Sequence, residues 1–341
     1  MSDQKTSAPS LLDTVVFGYM PAQVIHVAAR LGIADHLASG AMTSAELAAL
    51  TETHAPSMHR LLRSLACLGV VAEIEPDRFT LEPAGAPLQT EAPDSIRALV
   101  MLFCSDAAWR SWGELEYSVR TGQPAWERVT GMTPFEYFAQ HPDQAATFNA
   151  AMADHTRAVA PTILAGYDFS RFGTLVDVGG GDGTLIAAIL NASPAMRGVL
   201  FDLPAGVEAA ARTLEAAGVT DRCRVVTGDF FASVPEGADA YLLKSVIHDW
   251  DDERAVAILR SCYRAMPTTG TVLVVESVLP LRAESPETTG TVMSDINMLV
   301  STGGRERTED QFRALFAAAS LELTKIIGVG ADYHVIEGSP V

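Results

Sequence analysis

The sequence predicts a mainly helical N-terminal domain followed by an α/β domain built on a doubly wound parallel sheet. Three observations carry this. The β-branched run Leu175-Val176-Asp177-Val178 leads into Gly179, Gly180, Gly181 and Gly183 and then into the helix-like 184–190. Three further short apolar runs follow, each ending in polar residues. Before about residue 165, apolar residues recur at helical spacing instead.

The glycine-rich turn marks the end of a buried strand. Such a turn lets a ligand approach backbone that a side chain would block. The second strand, Gly198-Val199-Leu200-Phe201, ends in Asp202-Leu203-Pro204. An acidic residue there is placed to accept hydrogen bonds from ribose hydroxyls. The third, Cys223-Arg224-Val225-Val226-Thr227-Gly228, ends in Asp229-Phe230-Phe231, and the fourth, Ala240-Tyr241-Leu242-Leu243-Lys244, runs into Ser245-Val246-Ile247-His248-Asp249-Trp250. Polar residues thus gather at strand C-termini, where open α/β sheets bind ligands. The spacing to Asp202 fits NAD as well as a nucleoside. The turn itself disfavours a pyrophosphate: no Lys or Arg follows it, and Asp182 lies inside it, tolerant of a cationic ligand. Two final strands, 321–327 and 333–337, alternate in polarity.

The 341 residues leave room for two domains, and 48% hydrophobic residues suffices for their cores. Disorder is expected only in roughly the first ten residues. No run suits a bilayer span, and Met1-Ser2-Asp3-Gln4-Lys5 is not a signal pattern. Cys67, Cys104, Cys223 and Cys262 are scattered and read as reduced thiols of a cytoplasmic protein. A net charge of −18 argues against nucleic acid or an anionic membrane as partner.

In the N-terminal part, Val15, Val16, Tyr19, Met20, Val24, Ile25 and Ala28 recur at helical spacing within a region that reads as helical from about residue 11. Ser44 is a plausible N-cap, Pro56 opens another helix, and 70–74 with 78–81 reads as a hairpin. This is the outline of a winged helix-turn-helix. Arg60 and Arg63 could face a phosphate backbone, but Asp35, Glu46, Glu52, Glu73, Glu75, Asp77 and Glu82 make the segment acidic, which disfavours a transcription regulator. The long apolar first helix suits an interface. Further helices are expected over 96–102, 109–119 and 134–165, with Thr121-Gly122-Gln123-Pro124 as a break.

These motifs, in this order, resemble the S-adenosylmethionine-dependent small-molecule O-methyltransferases, of the plant caffeic acid and flavonoid type and the bacterial antibiotic-tailoring type. The resemblance rests on Asp177-Val178-Gly179-Gly180-Gly181-Asp182-Gly183, Phe201-Asp202-Leu203-Pro204, Gly228-Asp229-Phe230-Phe231, Lys244-Ser245-Val246-Ile247-His248-Asp249-Trp250, Val275-Glu276-Ser277-Val278-Leu279-Pro280 and Gly303-Gly304-Arg305-Glu306-Arg307-Thr308. It covers most of the chain. It implies a Rossmann-like class I methyltransferase domain over 166–341, a winged-helix-like dimerisation domain over 1–95, and a helical connector over 96–165 that roofs the active site. The implied assembly is a homodimer whose partner helps wall the substrate cavity.

Methyl transfer from a sulfonium requires the acceptor to be aligned, water to be excluded, and a proton to be taken from the accepting hydroxyl. A phenol of pKa about 10 benefits from a base near neutrality, so an imidazole of pKa about 6–7 is expected. His248, just past strand four, matches the family's catalytic motif. Glu276, directly after the strand 272–275, and Glu306 would orient it. For Glu306, an ion pair with Arg305 or Arg307 is the structural alternative. No metal is expected; Asp249, Asp251 and Asp252 are acidic neighbours, of which the last two read as a helix N-terminus.

The resemblance assigns Gly179, Gly180 and Gly181 to the methionine end of the cofactor, and Asp202 with Leu203 to its ribose and adenine. Asp229 and Phe230 would flank the adenine, with Lys244 beside it and Trp250 stacked there. Asp177 could hold the amino-acid ammonium indirectly, and Asp182 could cap the next helix. For the acceptor, Phe148, Met152 and His155 share one helical face, a spacing that fits plain core equally well. Asp295, Asn297 and Met298 precede the Gly303-Gly304 turn, and Phe103, Trp109 and Trp112 are candidate apolar walls. Leu299 to Gly303 departs from the plant pattern, which carries an Asn-Pro-containing stretch. The expected acceptor is therefore a small hydroxylated aromatic of bacterial secondary metabolism. An N- or C-methyltransferase, or a relative that keeps the cofactor for other chemistry, is the alternative on the same fold.

Overall fold

The computed structural model describes residues 15–283, 288–330 and 332–341. The expectations for the first ten residues, and for a helical region beginning near residue 11, fall partly or wholly on residues 1–14, outside the described residues. The chain divides into two compact units, Met1–Ser105 and Asp106–Val341. Helix Arg97–Phe103 therefore goes with the first unit, and the remaining helices of the expected connector go with the second.

In the first unit, α1 (Tyr19–Arg30) and α2 (Ile33–Leu37) are joined through Gly32, whose φ of 62° suits a glycine. Strand β1 (Met42–Thr43) leads into α3 (Ser44–Leu50), followed by α4 (Ala55–Cys67), the hairpin β2 (Val71–Glu75) and β3 (Arg78–Leu81), and α5 (Arg97–Phe103). The three strands form an antiparallel sheet in the order β1-β3-β2. The cap of α3 is Thr43, one residue before the expected Ser44: Glu46 N donates to Thr43 Oγ1 and Thr43 N donates to Glu46 Oε2, so both orphan amides are satisfied. Leu47, Leu62, Leu65 and Phe79 are fully buried in this unit's core. The expected apolar stripe of the first helix is divided: Ala28 is buried in that core with Val24 and Ile25 packed against it, while its N-terminal part is exposed. Val15, Val16, Tyr19 and Met20 are 65, 63, 53 and 46% exposed.

The second unit begins with α6 (Asp106–Gly113), α7 (Leu115–Thr121), α8 (Ala125–Thr130), α9 (Pro134–Gln140) and α10 (Pro142–Gly166). The expected single helix over 134–165 breaks at His141, because the residue before a proline is pushed out of the helical region; His141 has φ −128° and ψ 80°. The expected helix 109–119 likewise breaks at Glu114. Gly122 ends α7 in the left-handed conformation, at the expected break.

Next come β4 (Thr174–Val178), α11 (Thr184–Ala192), β5 (Arg197–Asp202), α12 (Ala210–Ala216), β6 (Cys223–Thr227), β7 (Ala240–Lys244), α13 (Asp252–Ala265), β8 (Thr271–Ser277), α14 (Thr289–Ser301), α15 (Glu309–Ala318), β9 (Leu321–Gly330) and β10 (Tyr333–Pro340). The strands form one seven-stranded sheet in the order β6-β5-β4-β7-β8-β10-β9. It is parallel except for β10, which runs antiparallel to both β8 and β9. The alternation of the strands feeds two cores. Leu242, Leu273 and Val275 face the layer with α10 and α11, while Tyr241, Leu243, Val272 and Val274 face the layer with α13 and α15. The strand order reverses between β4 and β7, so the crevice beyond their C-terminal ends is where a ligand fits. Among the described residues, no helix is long and apolar enough to cross a membrane.

Candidate active site

The turn from β7 into 245–250 is organised around one buried carboxylate. Glu276, near the end of β8, accepts backbone N–H bonds at Oε1 from Val246 (2.9 Å), Ile247 (2.9 Å) and His248 (3.3 Å). Its Oε2 lies 3.2 Å from His248 Nδ1. Glu306 Oε1 lies 2.9 Å from the same nitrogen and accepts a bond from Ser294 Oγ (2.7 Å). Both carboxylates are buried. Carboxylates only accept, so Nδ1 carries a proton between them, and Nε2 is the nitrogen that presents a lone pair once the imidazole is neutral. The nearest carboxylate to Nε2 is Asp249, at 3.9 Å. The three expected catalytic residues thus come together from three separate segments.

Burial disfavours charge on the His248 imidazole, but Glu276, Asp249 and Glu306 outweigh it and push its pKa up to about 10. The sequence expectation of a base at 6–7 is displaced upward, because two carboxylates converge on one ring nitrogen. Burial raises Glu276 to about 7, against the pull of His248, so the group titrates as a unit. Single donor atoms of His248, Glu276 and Glu306 also lie within 4.8 Å of one another, a span that could admit a cation. The 2.9 Å contact to Glu306 is that of a charge-assisted hydrogen bond, whereas Glu276 Oε2, at 3.2 Å, acts on the imidazole through its charge and has no hydrogen-bond partner among the described residues.

The loop before α15 locks this turn. Arg305 N donates to His248 O (2.8 Å). Arg307 is fully buried; it donates to Ile247 O, Trp250 O and Asp252 Oδ1 at 2.8–3.0 Å. It therefore pairs with Asp252 rather than with Glu306, and Arg305 is exposed. Asp251 caps α13 by accepting from Arg254 N (2.8 Å), so this pair of carboxylates opens a helix as expected.

The glycine turn forms a second group. Gly179 and Gly181 have φ of 72° and 59°. A Cβ at Gly180 would run into the Asp177 carboxyl and Leu200. Asp202 accepts from Gly181 N at 2.8 Å and from Leu203 N at 2.6 Å, and burial raises its pKa. Leu203 is exposed. Asp177 is buried beneath the turn with Oδ2 unpartnered; burial first, then the Asp202 charge, raises it to about 7. Asp182 accepts from Thr184 N and Oγ1, both at 3.0 Å, as expected of a residue securing the start of α11. An unpaired buried carboxylate beneath an open glycine cradle fits a ligand with a cationic amino-acid end and a ribose.

Asp229 accepts from Phe231 N (2.8 Å) and so bends the chain that carries Phe230. Trp250 stands edge-on to Phe230 and Phe231 and stacks on Phe135, with Arg254 over its face. Lys244 Nζ reaches Thr156 Oγ1 (3.2 Å) and His155 Nδ1 (3.4 Å) and lies 5.4 Å above the Tyr333 ring. Burial lowers Lys244 to about 8. Burial, with the Lys244 and His248 charges, lowers His155 to about 4.

Among the acceptor candidates, Phe148 stacks on Phe138 at 4.7 Å. Met152 and His155 follow it on α10. Asp295 accepts from Glu306 N (3.0 Å), Asn297 Oδ1 from Trp112 Nε1 (3.2 Å), and Met298 is buried. Asp295 and Ser294 thus hold Glu306 rather than standing apart from it. Trp109 is about a third exposed, and Phe103 belongs to the first unit. Sequence reasoning missed Ser294, Arg307 as a clamp, and Tyr333. No local pattern marks them, since each partner is distant in sequence.

Residues 14–90 match the O-methyltransferase dimerisation domain and residues 112–322 the O-methyltransferase domain. The chain is 42% identical to the phenazine O-methyltransferase PhzM of Lysobacter antibioticus, over 97% of this chain and 96% of that protein. It superposes on the crystal structure of LaPhzM with a TM-score of 0.94 and 41% identity, covering 98% of this chain and 100% of that one. It also matches an O-methyltransferase of neocarzinostatin biosynthesis solved with S-adenosylmethionine and 2-hydroxy-5-methyl naphthoic acid: TM-score 0.80, 34% identity, 94% of this chain and 96% of that one.

The clamp yields a test. A Cβ at Gly304 would meet the backbone of His248, Asp249 and Trp250. Gly304→Ala is expected to cost about 1–3 kcal/mol in urea unfolding, the range for overpacking a close contact, and to depress activity by displacing His248.

Proposed function

We propose, for a chain that belongs to the O-methyltransferase family and carries its dimerisation domain, that His248 is the general base for methylation of a hydroxyl on a small aromatic of secondary metabolism. The observation that carries this is the imidazole held at Nδ1 by Glu306 and Glu276, with Nε2 left to accept a proton. The relatives' phenazine and naphthoic acid names support an aromatic acceptor.

S-adenosylmethionine, when bound, supplies an electrophilic methyl group on a sulfonium sulfur and leaves as S-adenosylhomocysteine. Gly179, Gly180 and Gly181 would cradle its methionine end, with Asp177 beneath them. Asp202 and Leu203 would take the ribose and adenine, flanked by Asp229, Phe230 and Lys244, with Trp250 backing the aromatic wall. The acceptor would lie against Phe148, Met152 and His155 on α10 and Asp295, Asn297 and Met298 on α14. His248 Nε2 would take the proton of the acceptor hydroxyl. Glu276 and Glu306 stabilise the imidazolium that results. No step in this scheme requires a metal. The exposed stripe of Val15, Val16, Tyr19 and Met20 supports a homodimer through the first unit.

His248→Ala is expected to lower kcat by roughly 10²–10⁴, with cofactor affinity nearly intact. The assay should use the phenol of highest pKa that the wild type turns over in a panel of hydroxylated naphthoates and phenazines, read by mass spectrometry. Turnover within a few-fold of wild type would remove His248 from the mechanism, and loss of activity in EDTA would remove its metal-free form. Below its pKa the imidazole already holds a proton and cannot accept another. The rate is therefore expected to rise with pH on the alkaline side of 7. Glu306→Gln deletes a negative charge that raises the imidazole pKa, so its profile should shift toward lower pH. Asp202→Ala should weaken S-adenosylmethionine binding by about 1.5–3 kcal/mol in calorimetry; an unchanged affinity would refute the ribose assignment. Light scattering at micromolar concentration should report a dimer, and a monomer would refute the interface.

A further inference from the structure

Ser245 is where β7 turns into the segment that carries His248, and it is left-handed, with φ 55°. L side chains resist that conformation, so the surroundings must hold it. Two bonds do so. Ser245 N donates to Val275 O (3.0 Å), and Ser245 Oγ shares a hydrogen bond with Tyr333 Oη (3.0 Å). Tyr333 opens β10 opposite Ser277 of β8, and its neighbour His334 stands opposite Glu276. The Tyr333 ring is buried beneath Lys244 and 6.0 Å from the His155 ring. Immediately after Ser245, three successive amides converge on Glu276 Oε1, the last being that of His248 and the longest at 3.3 Å. The left-handed residue is what reverses the chain from the strand direction onto that carboxylate.

We propose that Ser245 and Tyr333 are positioning residues for the base. Their hydrogen bond holds the exit of β7 left-handed, which keeps the three amides on Glu276 and the imidazole of His248 aimed. The C-terminal hairpin is thereby a working part of the site, although no residue of it is required to touch the reacting atoms. The inference rests on the reading of His248 as base.

The experiment compares Tyr333→Phe, Ser245→Ala and the double variant Tyr333→Phe/Ser245→Gly, by steady-state kinetics with that same high-pKa phenol and by calorimetric titration with S-adenosylmethionine. Tyr333→Phe and Ser245→Ala are expected to lower kcat about 5–20-fold at unchanged acceptor KM and cofactor affinity, the size of a left-handed penalty expressed in orientation. Glycine adopts φ near 55° without that penalty, so the double variant should recover most of the lost kcat. A hydroxyl that only contributes to packing would lower Tm without recovery by glycine. Wild-type kcat in Tyr333→Phe, or no recovery in the double variant, overturns the proposal. Should Tyr333→Phe not fold, Ser245→Ala and Ser245→Gly are compared instead, and equal kcat in the two overturns it. A crippled His248→Ala beside an undisturbed Tyr333→Phe ends the positioning inference alone. An active His248→Ala ends the base reading itself.

Discussion

The constraint on which the rest of the site depends is the burial of Glu276. A carboxylate at the end of a central strand, closed off from water, is costly unless its lone pairs are filled. Three consecutive backbone amides fill those of Oε1, and Oε2, which has no hydrogen-bond partner among the described residues, is compensated by the imidazole 3.2 Å away. The donors all come from 246–248, so satisfying the carboxylate and orienting His248 are one event. The same burial keeps the local dielectric low, and this is why two nearby carboxylates move the imidazole so far from its ordinary range.

That arrangement would not hold itself. After β7 the chain makes a single 3-10 turn, with Asp249 N donating to Val246 O and Trp250 N to Ile247 O at 3.3 Å, and its remaining carbonyl valences need partners from elsewhere. Arg307 answers for Ile247 and Trp250, and Arg305 N for His248. The segment carrying these residues is tied in turn to the exit of β8, where Leu279 N donates to Arg307 O (2.9 Å) and Val278 bridges Arg307. Gly304 lets the loop pass against the turn where any side chain would collide. Glu306 arrives at the imidazole as the centre of this clamp, flanked by the two arginines that serve the backbone around it.

The charged groups beyond the base form a connected field. Asp177 under the glycine turn feels Asp202, Lys244 feels Glu276 and Asp177, and His155 feels Lys244 and His248. Charge placed at any of these points alters the others, because burial of Asp177, Lys244 and His155 leaves their mutual charges little screened. The crevice between β4 and β7 suits a zwitterionic, cationic cofactor: it offers an unpaired carboxylate and a buried ammonium within one cleft.

Much of this was legible in the chain. The β-branched runs, the glycine turn and the polar strand ends are local features, so the strands, the ligand-facing edge and Asp202 could be named from them, while His248, Glu276 and Glu306 were singled out by the resemblance of their motifs to the O-methyltransferases. Helix boundaries were less legible, as at His141 and Thr43, where proline sterics and a capping box shift the end by a residue or break the run. The tertiary structure decided what depends on partners far apart in sequence. It joined His248 to Glu276 and Glu306 across 28 and 58 residues, turned Arg307 away from Glu306, brought Tyr333 back beneath Lys244 through an antiparallel final strand, and raised the imidazole pKa. A sequence specifies which groups are available; their separation, burial and mutual charge exist only once the sheet has brought its strand ends together.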